Sequence, residues 1–398
     1  MITVLVDCSR IARQSSSDIL ALLTVTLTRP DLESLPISDD NGVIRSNQVT
    51  TLLERIAAAE LSDHAWPERV WDLYREFAVL KWVIPQEFGG AAISSAELTH
   101  GYLRLAAADL TSTFVLTQRN GACQRLAGSS NEELKAELLP KLCRGDVFAT
   151  VGISHLTTSG QHLKNPAVQL TEVDGDFVLD GRIPWVTGAN HADWILVGAT
   201  MGDGKQALLM LPTELDGVTI EPPPNLLALT GSQTGAVGLK QVRLSHRHLV
   251  GGPIENVMKS GAGGGTGSLT TSALAMGHAA GLLNRLADEA ERRQDLIESY
   301  QVLQHAHQEL LGNLVERAMD PESNEPQLSN EFIRQNANSL VLRTAQAYLA
   351  AVKGAGFLSG HPAERGVREA MFFLVWSCPQ PVLNAQIREF ACGLQSED

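Results

Sequence analysis

Cysteine is scarce in this chain, with five in 398 residues (Cys8, Cys123, Cys143, Cys378 and Cys392). They are widely spaced, odd in number and form no C-x-x-C pair, so neither a disulfide framework nor a thiolate zinc site is indicated, and a reducing compartment is expected. Basic charge is short as well: 31 Lys and Arg stand against 45 Asp and Glu, a formal net charge of -14. A phosphate backbone needs a basic surface, so nucleic acid is not an expected partner. No apolar run approaches the roughly 20 residues of a membrane span. The N-terminus lacks the basic, apolar and small-residue order of a secretory signal. Arg10, Arg13 and Ser15 to Ser17 hint at a transit peptide, Asp7 and Asp18 count against it, and a cytoplasmic location is expected. Neither a G-x-S-x-G elbow nor a P-loop is present.

What is there is enough apolar residue, 44%, for two or three globular domains. From Val49 the spacing is helical, with Val70, Leu73, Phe77 and Leu80 on one side and charges on the other. Pro85 and Gly89-Gly90 break this pattern, and two further helices follow. Ser130-Asn131-Glu132-Glu133 reads as a capping box opening a helix that Pro140 should end. Short strands with breakers every eight to twelve residues come next, the all-β pattern. GAGGGTG (261 to 267) reads as a flexible loop, and four amphipathic helical segments after it suggest an antiparallel bundle. The expected fold is multi-domain α+β: an N-terminal extension (1 to 46), an N-terminal helical domain (47 to 145), a middle β-barrel or sandwich domain (146 to 251) and a C-terminal four-helix bundle (252 to 398).

The chain is organised around residues 152 to 187. Val173-Asp174-Gly175-Asp176 is a hairpin signal, and Asp180-Gly181 suggests a second turn. Trp185 and Thr187, at i and i+2 of a strand, share a face and could offer an aromatic plane and a hydroxyl to one ligand, or fill a core. Arg365 and Arg368 share a helix face, where they could clamp an anion, pair with Glu364 and Glu369, or be solvated. His246-x-His248 and His305-x-His307 lack further ligands at metal spacing and read as exposed histidines. GAGFLS (354 to 359) follows a helix, so it lacks the strand that the dinucleotide fingerprint requires.

Several strings together resemble the acyl-CoA dehydrogenase family from about Val49 to the C-terminus. WVIPQEFGG, AAADLTSTFVLTQRNG, GSSNEELKAELLPKLCRGD, DGDFVLDGRIPWVTGANHADWILVGA and KGAGFLSGHPAERGVREA are each similar to a family segment. The resemblance implies FAD held between the β domain and the C-terminal bundle, in a homo-oligomer, dimer or tetramer. By position it makes Trp185, Thr187 and Ser154 flavin contacts, with Gln301, Gly354, Gly356, Arg365 and Arg368 as further cofactor-binding residues. It also implies an acyl-CoA or other acyl thioester as substrate, an electron-transferring flavoprotein as partner and a place in fatty acid metabolism.

Two departures bear on the reaction. The family's T-E-P-G-A-G-S-D loop is replaced by Ser154-His155-Leu156-Thr157-Thr158-Ser159-Gly160-Gln161, and its catalytic glutamate falls on Ser377. The other position that family members use for that glutamate falls near Gly267-Ser268. Loss of a positioned base should cost on the order of a hundredfold or more in α-proton removal. His155 stands where the loop has a glutamate and is the substitute base to consider. The expected activity is α,β-dehydrogenation of an acyl thioester with hydride passed to FAD. The alternatives are a flavin monooxygenase on the same fold, which the HPAER run around His361 resembles, and a binding or scaffold protein that has lost its chemistry.

Overall fold

The computed structural model describes residues 27–30, 32, 46–59, 63–157, 165–260 and 268–392. The expected loop at 261–267 and almost all of the N-terminal extension lie outside the described residues.

Five helices come first: α1 (Ser46–Ala57), α2 (Glu68–Glu76), α3 (Ser95–Ala108), α4 (Leu110–Ala127) and α5 (Glu132–Arg144). A capping box does form, but on α3. There Ser94 Oγ accepts from the Glu97 amide and Glu97 accepts from the Ser94 amide. The box expected at Ser130 is replaced by Asn131, which caps α5 through its carbonyl oxygen while its amide donates to the Arg247 and Leu249 carbonyls. One side chain thereby starts a helix and ties it to the sheet. Pro140 does not end α5, which runs on to Arg144. Burial of Leu138, Leu139 and Leu142 outweighs the single backbone bond that proline forgoes.

One eight-stranded mixed sheet follows: β1 (Ala149–Gly152), β2 (Val168–Val173), β3 (Asp176–Val186), β4 (Trp194–Met201), β5 (Gln206–Pro212), β6 (Val218–Ile220), β7 (Gly235–Leu244) and β8 (Leu249–Ile254). The order is β6-β7-β3-β2-β4-β5-β8, with β1 parallel to β4. The β2–β3 hairpin closes as expected, because Asp174 and Gly175 both take the positive φ of a tight two-residue turn. The second turn, at Asp180-Gly181, is absent. β3 runs through it with a register shift, and a Cβ on Gly181 would lie 2.2 Å from the Ala167 carbonyl oxygen. Glycine there admits a neighbouring backbone rather than reversing the chain.

The C-terminal helices are α6 (Leu269–Arg292), α7 (Ile297–Met319), α8 (Asn330–Val352), α9 (Pro362–Phe372) and α10 (Gln380–Cys392). The expected fourth helix is therefore two, separated by a turn in which Ser377 has φ +46°. α6 crosses α3 closely: a Cβ on Gly277 would lie 2.3 Å from the Leu103 carbonyl oxygen. The two helical regions share one core, with Leu103 and Ala106 packed among Leu274, Ala275 and Leu283. Trp66 joins the sheet to the first helices, stacking on His191 (4.1 Å between centroids) and meeting Phe148 edge-on.

Candidate functional site

A cavity of about 680 Å³ opens where α4, β1, the end of β3, the start of α6 and the α9–α10 turn converge. Trp185 and Thr187 form its sheet side. Trp185 is 47% exposed while Thr187 is buried, so the indole of this pair is a surface and not core filling. The hydroxyls behind Thr187 are chained: Ser232 and Thr234 Oγ atoms lie 2.8 Å apart, and Thr234 Oγ1 donates to Thr187 Oγ1 at 3.1 Å. With its oxygen already accepting, Thr187 has its proton available for an acceptor in the cavity.

Ser154 lies on the same side, in a short 3-10 turn after β1. Its Oγ is buried and, among the described residues, without a hydrogen-bond partner. Ser154 lines the cavity through other atoms, and its unpartnered Oγ, buried just behind the wall, is a polar group that a water or a bound group would satisfy. A flat heteroaromatic ring with acceptors on its rim fits this wall: the indole gives it a face, and Thr187 and Ser154 give it polar contacts.

The opposite side is aromatic. Trp376 stacks on Phe372 (5.1 Å, 14°), and Phe114 of α4 meets both edge-on at 4.9 Å. The turn carrying Trp376 and Ser377 is held from below by buried Arg334, whose Nη2 donates to the Phe373 and Trp376 carbonyls. Asn338 donates to the Phe373 carbonyl as well. Ser377 and Ser268 both line the cavity wall.

His155 is corrected by its position. It is buried outside the cavity wall, with Nε2 2.8 Å from the Gly198 carbonyl oxygen, and burial lowers its pKa. It reaches nothing in the cavity. Among the described residues no Asp, Glu, His, Lys or Cys lines the wall. The ionisable groups there are Tyr102, whose phenol burial pushes up, and the guanidinium groups of Arg125 and Arg368.

The other expected residues are divided. Arg368 lines the cavity edge, where it pairs with Glu364 and Asp63 and donates to the Leu227 carbonyl. Arg365 lies off the cavity, bonded to Asp109 and Glu369 at 2.8 Å and to Asp63 at 3.1 Å. Burial alone would lower its pKa, but the three carboxylates together raise it. The arginine pair is thus an internal ion network and not a solvated face. Gln301 is exposed on α7, and Gly354 and Gly356 lie in a 3-10 turn after α8; none of the three lines the cavity. Gly354 is open to solvent, whereas a Cβ on Gly356 would run into Val352 at 2.3 Å.

The histidine pairs also differ from expectation. His246 is exposed near Glu172, and His305 is exposed near Glu309, but His248 and His307 are buried and bonded to backbone carbonyls. No group of residues suited to holding a metal is found among the described residues. Phe114, Arg125 and Phe372 were not singled out from sequence. The spacing of Phe114, Thr117, Gly121 and Arg125 on one face of α4 was the available signal.

Fold and site define a class: three regions in α-β-α order, with a cavity at their junction shaped for a planar ring. Residues 45–146 match the family model described as Acyl-CoA dehydrogenase, N-terminal domain. The chain is 22% identical over 348 residues, 81% of its length and 91% of the relative's, to the protein named Probable acyl-CoA dehydrogenase YngJ of Bacillus subtilis. A glutaryl-CoA dehydrogenase from Mycobacterium smegmatis, solved in complex with FADH2, superposes with a TM-score of 0.71 at 17% identity, covering 90% of this chain and 98% of that one. The dibenzothiophene monooxygenase TdsC from Paenibacillus sp. A11-2 superposes with a TM-score of 0.68 at 20% identity, covering 86% and 93%. Residues 45–146 thus match the N-terminal domain of the acyl-CoA dehydrogenase family, and the chain as a whole is similar to proteins of that name and shares their fold.

Proposed function

We propose that this chain is an FAD-dependent oxidoreductase that works without a side-chain base, as a flavin-dependent monooxygenase acting on a largely apolar substrate. The observation that carries this reading is the composition of the cavity wall, which has no carboxylate, imidazole, thiol or amine among the described residues. Removing the α-proton of a thioester needs a proton acceptor within hydrogen-bond reach. Among the described residues the cavity wall that includes Ser377 offers no carboxylate, imidazole, thiol or amine to deprotonate its hydroxyl.

Trp185 would stack against the isoalloxazine ring, and the Thr187 and Ser154 hydroxyls would bond its polar rim. When bound, FAD supplies two-electron redox chemistry, including reaction with dioxygen once reduced by an external donor. The chain's own part is to exclude water with Phe114, Phe372 and Trp376, to hold the substrate against the ring and to keep Thr187's proton directed inward. Gln301, Gly354 and Gly356 are off the cavity of their own chain, which fits contact with FAD bound to a second copy in a homo-oligomer.

The second reading, α,β-dehydrogenation of an acyl thioester with an electron-transferring flavoprotein as acceptor, is favoured by the names of the curated relatives. One experiment separates the two. FAD-loaded protein is mixed anaerobically with a panel of acyl-CoAs, and separately is reduced and given oxygen with apolar aromatic substrates. We expect no bleaching of the flavin by any thioester and oxygen incorporation in the second arm. Bleaching by an acyl-CoA overturns the monooxygenase reading, and failure to bind FAD overturns both in favour of a non-catalytic protein.

A further inference from the structure

Behind the aromatic side of the cavity lies a guanidinium with donors to spare. Arg334 of α8 is 1% exposed, and its Nη2 holds the Phe373 and Trp376 carbonyls. Its Nε and Nη1 are buried too and, among the described residues, make no hydrogen bond. A buried cation with unmet N–H donors is costly. No carboxylate offsets that cost among the described residues: burial lowers the Arg334 pKa to about 10, and the group that opposes burial is the Cys378 thiol lying against it.

Cys378 sits in the turn between α9 and α10, next in the chain to Ser377 of the cavity wall. It is half-buried, whereas Cys123 and Cys143 are buried. Its Sγ lies 3.9 Å from the Pro379 carbonyl oxygen and 3.9 Å from Gln386 Oε1 of α10. Gln386 is 1% exposed, and its Nε2 is a further buried donor with no partner among the described residues. Two residues that touch Cys378 thus carry unmet donors, while a thiol sulfur is only a weak acceptor. Burial raises the Cys378 pKa with Arg334 opposing it, so the reduced form stays protonated and gives those donors little.

We propose that Cys378 is a modification site oxidised by hydrogen peroxide, and that the sulfenate oxygen formed there takes the unmet donors of Arg334 and Gln386. The thiol gives its proton to solvent, and the thiolate sulfur attacks one peroxide oxygen. An S–O bond forms as the O–O bond breaks, and the departing hydroxide takes up a proton and leaves as water. Sulfur loses two electrons and the peroxide gains them. The product is a stronger acid than the thiol and a better acceptor, so a charged oxygen now faces a guanidinium, the pairing that gives charge-assisted bonds their strength. Arg334 also holds the Trp376 carbonyl, which ties the modification to the cavity wall. The site is independent of the reaction that the cavity performs.

The test treats the full chain with hydrogen peroxide, traps sulfenate with dimedone and maps the label by peptide mass spectrometry, after the same treatment in urea has shown the Cys123, Cys143 and Cys378 peptides all to be labelled. In the native protein Cys378 is expected to carry the label, and Cys123 and Cys143 to escape it. A second sample, oxidised without dimedone, is melted. It is expected to unfold about 1 to 2 °C above the reduced protein, the scale of a buried bond gained in a chain of this size, and Cys378→Ser should show no such rise. Arg334→Gln should lower the labelling of Cys378 by about tenfold, because the positive charge beside the sulfur is gone.

The proposal is overturned if native Cys378 stays unlabelled, a result that needs no variant to fold. It is overturned equally if oxidation lowers the melting midpoint or leaves it unchanged, since the added oxygen would then be damage or the donors would already be met by water. Undiminished labelling in folded Arg334→Gln overturns it as well, because the guanidinium would then have no part in the reaction.

Discussion

Trp185 could have been a core residue or a ligand surface on its sequence alone. Its strand position fixes only that it shares a face with Thr187. Its partial exposure on the cavity wall, beside Ser154, leaves the indole open to a ligand instead of buried in a core. Trp185→Ala is expected to weaken FAD retention by about tenfold, the scale of an aromatic contact together with the area it buries. Flavin fluorescence during dialysis measures this, and unchanged retention would remove Trp185 from the site. Ser154 was legible only by resemblance, because a serine in a loop has no periodicity to read. His155, one residue on, shows why loops mislead: adjacent side chains of a tight turn point apart, and this one is buried against Gly198.

α9 is bound to the rest of the chain by charge. Its Arg365 meets Asp109, the N-cap of α4, whose other oxygen accepts from the Ser112 amide. The same network takes in Asp63, ahead of α2, and Glu369, which lies 3.7 Å from His278 of α6. Asp109 therefore caps one helix and anchors another. Asp109→Asn keeps a capping oxygen but removes the charge, leaving Arg365 with Glu369 and Asp63. We expect a loss of about 1 to 3 kcal/mol, below the cost of stripping a buried charge of every partner. Asp109→Ala loses the cap too and should cost about 1 kcal/mol more. Urea denaturation of the two variants checks both values, and equal stability for all three proteins would show the network to be idle. Helix existence was legible from spacing, whereas the break between α9 and α10 was not. The break depends on Arg334, over thirty residues upstream, holding the turn's carbonyls.

For the whole molecule, burial sets an acid limit. His307 is buried with Nε2 3.0 Å from the Met276 carbonyl oxygen, and burial lowers its pKa to about 4 against that bond's opposing effect. The unfolded chain protonates this histidine first, at its ordinary value near 6.5. Stability from this group is therefore complete above about pH 6.5 and falls as pH drops toward 4, by about 3 kcal/mol at the limit. His155, His248 and His278 are lowered by burial too and act in the same direction. Denaturation midpoints between pH 7 and 4.5 should fall, and His307→Gln, which keeps a donor for Met276, should flatten the slope. A slope unaltered in that variant would place the acid sensitivity elsewhere.

Local chemistry was enough to settle the order helix, strand, helix and the β2–β3 turn, since period and positive φ are properties of a few neighbouring residues. The motifs that carry the family resemblance are equally local. Folding alone decided that Asp180-Gly181 continues a strand, that Pro140 stays inside a helix and that Arg365 is held by carboxylates more than 250 residues away. It decided also that Trp185, Phe114, Arg125 and Trp376 share one cavity and that no carboxylate joins them there among the described residues. Each of these is an outcome of packing between distant segments, where desolvation and contact are shared by groups that no stretch of chain brings together.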